Sequence, residues 1–252
     1  MKRWLQQPHL PNNTVKLCVL DTEKEQFAKE LCKLGVRCLS TKDCPLLNKP
    51  VASHADMVLH HLGGNRFILA EGEAYLTQQL KEEGAQIQIC PIEEKDYPHD
   101  VPLNGVKLGK YLIYNPKTLL PSLETEYLNQ GAVPIAVTQG YTKCSVAIVN
   151  KEAIITADDN IAAQCRLAGL DVLKIFPGHI GINRYSYGFI GGCCGLISPH
   201  ELAFTGNIAL HPQYDAIYSF LKNHHVDAVC LSKEPLWDIG GILPLQEELG
   251  NS

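Results

Sequence analysis

A repeated supersecondary unit constrains the fold of this chain more than any other feature of the sequence. The unit consists of an amphipathic helix, a short turn that usually contains glycine, and an alternating apolar strand. The turn-and-strand half recurs five times, as LCKLGVRCLS, LKEEGAQIQIC, LNQGAVPIAV, LAGLDVLKIF and LKNHHVDAVCL. A self-similar period of this kind predicts a repeat architecture in which each unit buries its apolar face against its neighbours.

The order of elements predicts how the units are arranged. A strand precedes each helix, and in four copies another strand precedes that one. The first unit begins directly at its second strand, TVKLCVLD, so its missing strand is expected to come from the C-terminal WDIGGILPL. Closure between the two ends of the chain shields sheet edges. The alternative interpretation is a two-domain α/β protein with chance internal similarity.

The predicted fold class is therefore α/β: a single domain built as a five-fold pseudosymmetric propeller of ββαβ units, with the ring closed by N- and C-terminal strands. The expected units are residues 15–51, 52–96, 97–139, 140–187 and 188–236, with residues 237–249 as the closing strand of the first unit.

Composition narrows the function classes. Hydrophobic residues make up 45% and charged residues 19%, which supports a large buried core. The net charge of −5 without a basic stripe argues against a nucleic-acid partner. No apolar run approaches the roughly 20 residues of a membrane span, and no signal-peptide stretch is found, so we expect a cytoplasmic chain with no membrane partner.

The ten cysteines do not form a metal-binding pattern. Cys18, Cys32, Cys165 and Cys230 lie inside apolar periodic runs, which predicts buried, reduced side chains. No pair of CxxC motifs occurs, so we expect neither a metal nor another cofactor. The histidine pairs 60–61 and 224–225 are each expected at an element edge with one ring exposed.

A five-fold ring of ββαβ units closed between the termini resembles the pentein fold. This is the fold of the guanidino-modifying enzymes, namely arginine deiminases, dimethylarginine hydrolases and amidinotransferases, and a ribosomal-subunit anti-association factor shares it without catalysis. The resemblance covers nearly the whole chain and is closest to an uncharacterised bacterial family of that fold. It implies a Cys that attacks the guanidinium carbon, a His that moves protons, and carboxylates that hold the cation.

The resemblance also assigns roles to particular residues. The His-x-Asp motif of the enzymes matches His54-Ala55-Asp56, which implies His54 as the acid–base group and Asp56 as a guanidinium ligand. Alternatively, His54 caps a loop and Asp56 pairs with a neighbouring unit. The C-terminal nucleophile is missing, because residues 238–244 (DIGGILP) contain no Cys and Pro244 stands where the thiol is expected.

Three other thiols are candidates for the nucleophile. Cys193 and Cys194 lie in a GGCCG stretch of the fifth unit, where strand alternation sends them to opposite faces, so that at most one faces the channel. Cys144 occupies the comparable place in the fourth unit and competes for the role. The alternative is that Cys193 and Cys194 are small residues required by crowding at the ring axis.

Further polar residues are expected at the channel. Asp100, Asn104 and Asp238 make it suited to a cationic ligand, although such residues also cap turns. The Gly-rich, aromatic loop 177–188 is either a cover over the site or a structural plug. As a cover, it would use Arg184 to recognise a carboxylate on the ligand.

Two function classes follow. The first is a protein that binds a cationic guanidino or amidino small molecule in the central channel, with Cys-dependent hydrolase or transferase chemistry left open. The alternative is a non-catalytic pentein scaffold that acts through macromolecular binding. The sequence does not specify the oligomeric state.

Overall fold

The helices of the repeat all form in the computed structural model, which describes residues 1–21 and 25–250. In this part of the chain the helices are α1 Glu25–Lys33, α2 Ala55–Val58, α3 Ala74–Glu82, α4 Pro121–Asn129, α5 Thr142–Ser145, α6 Asp159–Leu167 and α7 Tyr214–Asn223. Three 3-10 turns are Lys49–Val51, Ile190–Cys193 and Ile208–Leu210. The five long helices are those of the repeat, and α2 and α5 are single turns that precede strands.

The strands are short. They are β1 Lys2–Trp4, β2 Val15–Asp21, β3 Arg37–Thr41, β4 Leu59–Gly63, β5 Arg66–Ala70, β6 Gln86–Cys90, β7 Val106–Leu108, β8 Tyr111–Tyr114, β9 Val133–Ala136, β10 Val146–Asn150, β11 Ala153–Thr156, β12 Asp171–Lys174, β13 Cys194–Ser198, β14 Glu201–Phe204, β15 Asp227–Cys230 and β16 Leu243–Glu248.

These strands form five small sheets with one shared plan. The sheets have the orders β1-β16-β2-β3, β4-β5-β6, β7-β8-β9, β10-β11-β12 and β13-β14-β15. In four sheets the middle strand pairs antiparallel with its predecessor in the chain and parallel with the strand that follows the long helix. In the first sheet β2 pairs in the same way with β3, and β16 takes the place of the preceding strand. The strand–strand–helix–strand order is therefore found four times along the described chain, and a C-terminal strand completes it in the first sheet.

The first sheet contains strands from both ends of the chain. Strand β16 pairs antiparallel with β2, with Leu243 opposite Val19 and Pro244 opposite Cys18. It supplies the strand that the first unit lacks. Strand β1 adds a fourth strand on the other side of β16. The sequence did not predict β1, because three residues, KRW, are too short to show an alternating pattern.

The long helices pack their apolar faces on the sheets, and this corrects two of the cysteine predictions. Cys18 and Cys165 are buried, as predicted, but Cys32 and Cys230 are exposed. On α1 it is Leu31 that faces the core, and the next residue lies about 100° further round the helix. Cys230 is the last residue of the outer strand β15. All ten cysteines are free.

One of the two histidine pairs also differs from expectation. His60 and His61 are both buried, so the prediction of an exposed ring in that pair was wrong. His60 bonds Leu103 O and the Tyr127 hydroxyl, and His61 stacks on a phenylalanine ring. Burial lowers the pKa of each of the two imidazoles to about 4, so both act as neutral core groups. In the second pair, one ring is exposed as expected.

Across the described ranges, none of the helices is long and apolar enough to cross a membrane.

Candidate functional site

Short helical turns just before the first strands of the units bring the candidate residues together. The Asp56 amide donates to Gly240 O at 3.1 Å, and the Gly241 amide donates to Gly192 O at 2.8 Å. The Lys143 amide donates to Asn104 O at 3.2 Å. Each contact joins two different units, so these turns hold one another in place.

A cavity of about 210 Å³ opens beside these turns, and we call it the open pocket. It is lined by Val51, His54, Tyr141, Cys144, Ile182, Tyr185, Ser186, Tyr187, Phe189 and Asp238. Four of these residues are aromatic and one is a carboxylate. It therefore combines apolar walls with a few convergent polar groups, as small-molecule sites do.

Asp238 is the charged group of the open pocket. Its Oδ2 accepts a hydrogen bond from the Phe189 amide at 2.8 Å, and its Oδ1 accepts one from the Gly240 amide at 3.0 Å. Burial raises the pKa of Asp238, the His54 charge opposes this, and the Asp56 charge adds to it. A Cβ at residue 192 would lie 1.9 Å from Asp238 Oδ1, so glycine at that position makes room for the carboxylate.

His54 and Asp56 lie next to Asp238, at the start of α2. His54 is the N-cap residue of that helix, and its Nδ1 is 3.7 Å from Asp238 Oδ1, too far for a hydrogen bond. Asp56 is 1% exposed, and the Cys144 thiol is a hydrogen-bond partner of its carboxylate. A thiol is a weak hydrogen-bond donor, so the buried carboxylate remains costly, and a nearby positive charge would stabilise it.

Cys144 is the thiol that the structure brings to His54 and Asp238. Its Sγ is 3.2 Å from Asn104 Nδ2, which donates to it. Burial and the charges of Asp56 and Asp238 raise the pKa of the thiol well above its ordinary value. The thiol is therefore protonated in the free protein at neutral pH.

Cys193 and Cys194 are not among the residues that line the open pocket. Both sulfurs point to Ile190 O, at 3.1 Å from Cys193 and 3.3 Å from Cys194. Cys193 closes a 3-10 turn rather than continuing the strand, so alternation does not send the two side chains to opposite faces. Burial raises the pKa of both thiols, that of Cys194 to about 12.

Cys194 instead contributes to a cavity of only about 10 Å³, which we call the closed cavity. It is lined by His9, Lys143, Val146, Ile148, Cys194, Gly195, Leu196, Ile242 and Pro244. Lys143 is 6% exposed, and its Nζ donates to Gly191 O at 3.2 Å. Burial, followed by the Lys143 charge, lowers the pKa of His9 well below its ordinary value. Sequence reasoning missed both His9 and Lys143.

Asp100 and Asn104 are buried beside the open pocket without lining it. Asp100 accepts a hydrogen bond from the Tyr141 hydroxyl at 2.7 Å, which fixes a ring of the pocket wall. Asn104 donates to Asp56 O at 2.9 Å and accepts from the Lys143 amide at 2.7 Å. It thereby links three units as well as contacting the Cys144 sulfur.

The loop 177–188 covers the open pocket but does not bring Arg184 to it. The Gly181 amide donates to Leu236 O at 2.9 Å, and the Asp238 amide donates to Gly181 O at 2.8 Å, so the base of the loop is held next to Asp238. The tip contributes Ile182 and residues 185–187 to the wall. Arg184, with φ 62°, lines a separate surface cavity of about 330 Å³.

The aromatic side chains of the pocket are the functional candidates that sequence reasoning missed individually. Tyr141 stacks on Tyr97 at 5.6 Å and on Phe189 at 6.0 Å between ring centroids, and Tyr187 packs edge-on against Phe189 at 6.5 Å. The aromatic content of the loop was a usable signal. In contrast, the spacing of three residues between Tyr141 and Cys144 indicates that both line one pocket only when α5 is known to be a helical turn.

No group of three or more His, Cys, Asp or Glu side chains suited to a metal ion occurs in residues 1–21 and 25–250.

Comparisons with known proteins identify the fold. A family model described as "Family of unknown function (DUF6873)" matches residues 19–243. A search of curated proteins found no match. Among solved structures, an amidinotransferase of the saxitoxin biosynthetic pathway from Microseira wollei is similar at a TM-score of 0.57 and 12% identity, covering 91% of each chain.

Two further structures show the same similarity. The inosamine-phosphate amidinotransferase of Streptomyces griseus has a TM-score of 0.58 and 13% identity over 91% of this chain and 92% of its own. Agmatine deiminase from C. jejuni has a TM-score of 0.54 and 8% identity over 92% and 91%. The resemblance to the pentein fold of the guanidino-modifying enzymes is thereby confirmed.

Proposed function

We propose that this chain, which belongs to the DUF6873 family, binds a cationic guanidino or amidino small molecule in the open pocket. The observation that carries the proposal is the sign of the charge there. Asp238 lines the pocket, the buried carboxylate of Asp56 contacts the Cys144 thiol of the pocket lining, and none of the described lining residues is Lys or Arg.

Energetics favour a cation at this position. Burial raises the pKa of Asp238 because it destabilises the ionised carboxylate. A bound guanidinium would stabilise that ionised form. A guanidinium also presents several N–H donors, and carboxylate oxygens are its strongest acceptors. In this proposal Asp238 and Asp56 hold the cation, and His54 lies beside it.

The proposal includes the finer arrangement of the fold: a single domain of five ββαβ units at residues 15–51, 52–96, 97–139, 140–187 and 188–236, closed into a ring by residues 237–249. The five sheets of shared order and the pairing of β16 with β2 support it. In such a ring the helical turns of Asp56 and Cys144 and the segment before β16 that carries Asp238 meet at the axis.

The test is calorimetric titration of the wild-type chain with n-butylguanidinium and with its neutral isostere n-butylurea. We expect the guanidinium to bind at least about tenfold more tightly, because charge-assisted hydrogen bonds are about twice as strong as neutral ones. Asp238→Asn should abolish the difference, and the exposed carboxylate variant Asp171→Asn should not. Equal affinity for the two ligands, or an unchanged Asp238→Asn variant, would contradict the proposal.

Cys-dependent chemistry is a second candidate function, favoured by the position of Cys144 beside His54 in the open pocket. A hydrolase of this type would form a bond from the Cys144 sulfur to the guanidinium carbon. It would release ammonia with a proton from His54, and water would then cleave the thiouronium to a urea and the free thiol. The raised pKa of Cys144 requires the bound cation to favour the thiolate.

Ammonia release from n-butylguanidinium separates this candidate from simple binding. If Cys144 is the nucleophile, Cys144→Ser removes turnover and leaves ligand affinity within about threefold, while Cys193→Ala retains turnover. A wild-type chain that binds the ligand but releases no ammonia is a binding protein for this ligand.

A further inference from the structure

The lining of the open pocket is mostly apolar and aromatic. Tyr141 stacks on Phe189, whose amide donates to Asp238, and Tyr187 packs edge-on against Phe189. Tyr185 and Ile182 complete the wall from the covering loop. Aromatic faces carry partial negative charge, so they attract cations and apolar groups and disfavour anions.

A ligand carboxylate would find no Lys or Arg partner among the described residues that line this pocket. Arg184 lines the separate surface cavity with Asp43 and Lys49. Lys143 donates to Gly191 O and lines the closed cavity. Within the part of the chain that the structure describes, the lining residues therefore offer one carboxylate, one imidazole and one thiol as their titratable groups besides the tyrosine hydroxyls.

Two of the tyrosine hydroxyls that line the open pocket have a raised pKa. Burial raises the pKa of Tyr141, and the adjoining Asp100 carboxylate raises it further. Burial and the Asp100 charge raise the pKa of Tyr185 as well. A carboxylate entering this wall would lose its hydration and lie near Asp100 and Asp238, which is a like-charge contact in a desolvated site.

Resting on the proposed function, we infer that the ligand is an alkyl- or aryl-substituted guanidinium or amidinium that carries no carboxylate. The cation lies at Asp238, and the apolar substituent lies along Tyr141, Phe189 and Tyr187. This specificity differs from that expected from the sequence alone, where Arg184 would recognise a carboxylate. The structure places Arg184 outside the open pocket.

The test compares n-butylguanidinium with 4-guanidinobutanoate, in which a carboxylate replaces the terminal methyl group. We expect 4-guanidinobutanoate to bind the wild-type chain at least about tenfold more weakly than n-butylguanidinium, because its carboxylate would be buried without a hydrogen-bond partner. We also expect the affinity of linear alkylguanidiniums to rise up to about fourfold per added methylene, because each one is buried against the wall.

Two variants make the result specific. Ser186→Arg places a cation on the pocket wall, so it should tighten binding of 4-guanidinobutanoate relative to n-butylguanidinium. Tyr187→Ala should flatten the dependence on chain length, and Tyr218→Ala, on the surface of α7, should not.

Equal or tighter binding of 4-guanidinobutanoate by the wild-type chain would overturn the inference and leave the proposed function standing. Failure of both ligands to bind would overturn the proposed function, and the inference with it.

Discussion

The open pocket and the closed cavity are built from similar residues and have opposite properties. Each contains a cysteine, a histidine and a buried charged side chain. The open pocket has about 210 Å³ and the carboxylate of Asp238, whereas the closed cavity has about 10 Å³ and the ammonium of Lys143. The two cavities therefore differ in free volume and in the sign of their charge, and the presence of Cys and His does not distinguish them.

The comparison also explains the glycines of the GGCCG stretch. A Cβ at residue 195 would lie 1.9 Å from Ile242 O, and a Cβ at residue 191 would lie 2.4 Å from Lys143 O. These glycines allow close approach of the backbone in neighbouring units rather than approach of a ligand. A Gly-rich, Cys-containing stretch thus packs the closed cavity, and the thiol of the open pocket comes from another unit.

The largest expected effect is a loss of stability on substitution of a glycine beside the closed cavity. Gly195→Ala forces its new Cβ against a backbone carbonyl that cannot rotate away, so we expect the free energy of unfolding to fall by about 3 kcal/mol or more in urea denaturation. Gly131→Ala is the control, because Gly131 has φ +81° and open space around it, and the cost should be only about 1 kcal/mol of backbone strain. Similar costs for the two variants would mean that the closed cavity is not tightly packed.

The second prediction separates the two thiol positions. Cys193→Ala removes a buried sulfur that donates to Ile190 O, so we expect the free energy of unfolding to fall by about 1–2 kcal/mol. Affinity for n-butylguanidinium should stay within about twofold, because Cys193 is not part of the open pocket. Loss of affinity without loss of stability would instead place Cys193 in the ligand site.

The third prediction concerns pH. The bound cation favours ionised Asp238, whose pKa is already raised by burial. Affinity for n-butylguanidinium should therefore be full at higher pH and fall severalfold on acidification, and the fall should begin at a higher pH than it would for an ordinary aspartate. Calorimetric affinity that rises on acidification would argue against a carboxylate anchor.

The smallest expected effect is a change in the rate at which a neutral maleimide labels each cysteine. The labelled positions are mapped by mass spectrometry. Exposed Cys32 and Cys230 should react first. Cys144 should react slowly and be protected a few-fold by n-butylguanidinium, because it is protonated and lines the open pocket. Cys193 and Cys194 should react only on unfolding. Ligand protection of Cys193 or Cys194 with none at Cys144 would reverse the assignment of the two cavities.

The repeat made the fold predictable, since helical spacing, turn glycines and alternating strands recur with one period. The period also located the missing strand of the first unit near the C-terminus, where β16 pairs with β2. It could not reveal β1, which is three residues long and is defined by its pairing with β16.

The candidate site was predictable only in part. His54 and Asp238 line the open pocket, and the sequence singled out both. The alternation of side chains along a strand could not show which thiol lines the open pocket. Cys144 and Cys193 lie in helical turns, where the period of two does not apply. Arg184 shows the same limit for loops, since the direction of its side chain depends on how the loop base is held by residues 236–238.

The location of a bound guanidinium is the most direct test of the account. Crystals grown with 4-bromobenzylguanidinium would show the bromine through its anomalous scattering. The account predicts the bromine among Tyr141, Tyr187 and Phe189, with the guanidinium within hydrogen-bonding distance of Asp238. Bromine at the closed cavity, or at the surface cavity of Arg184, would contradict it.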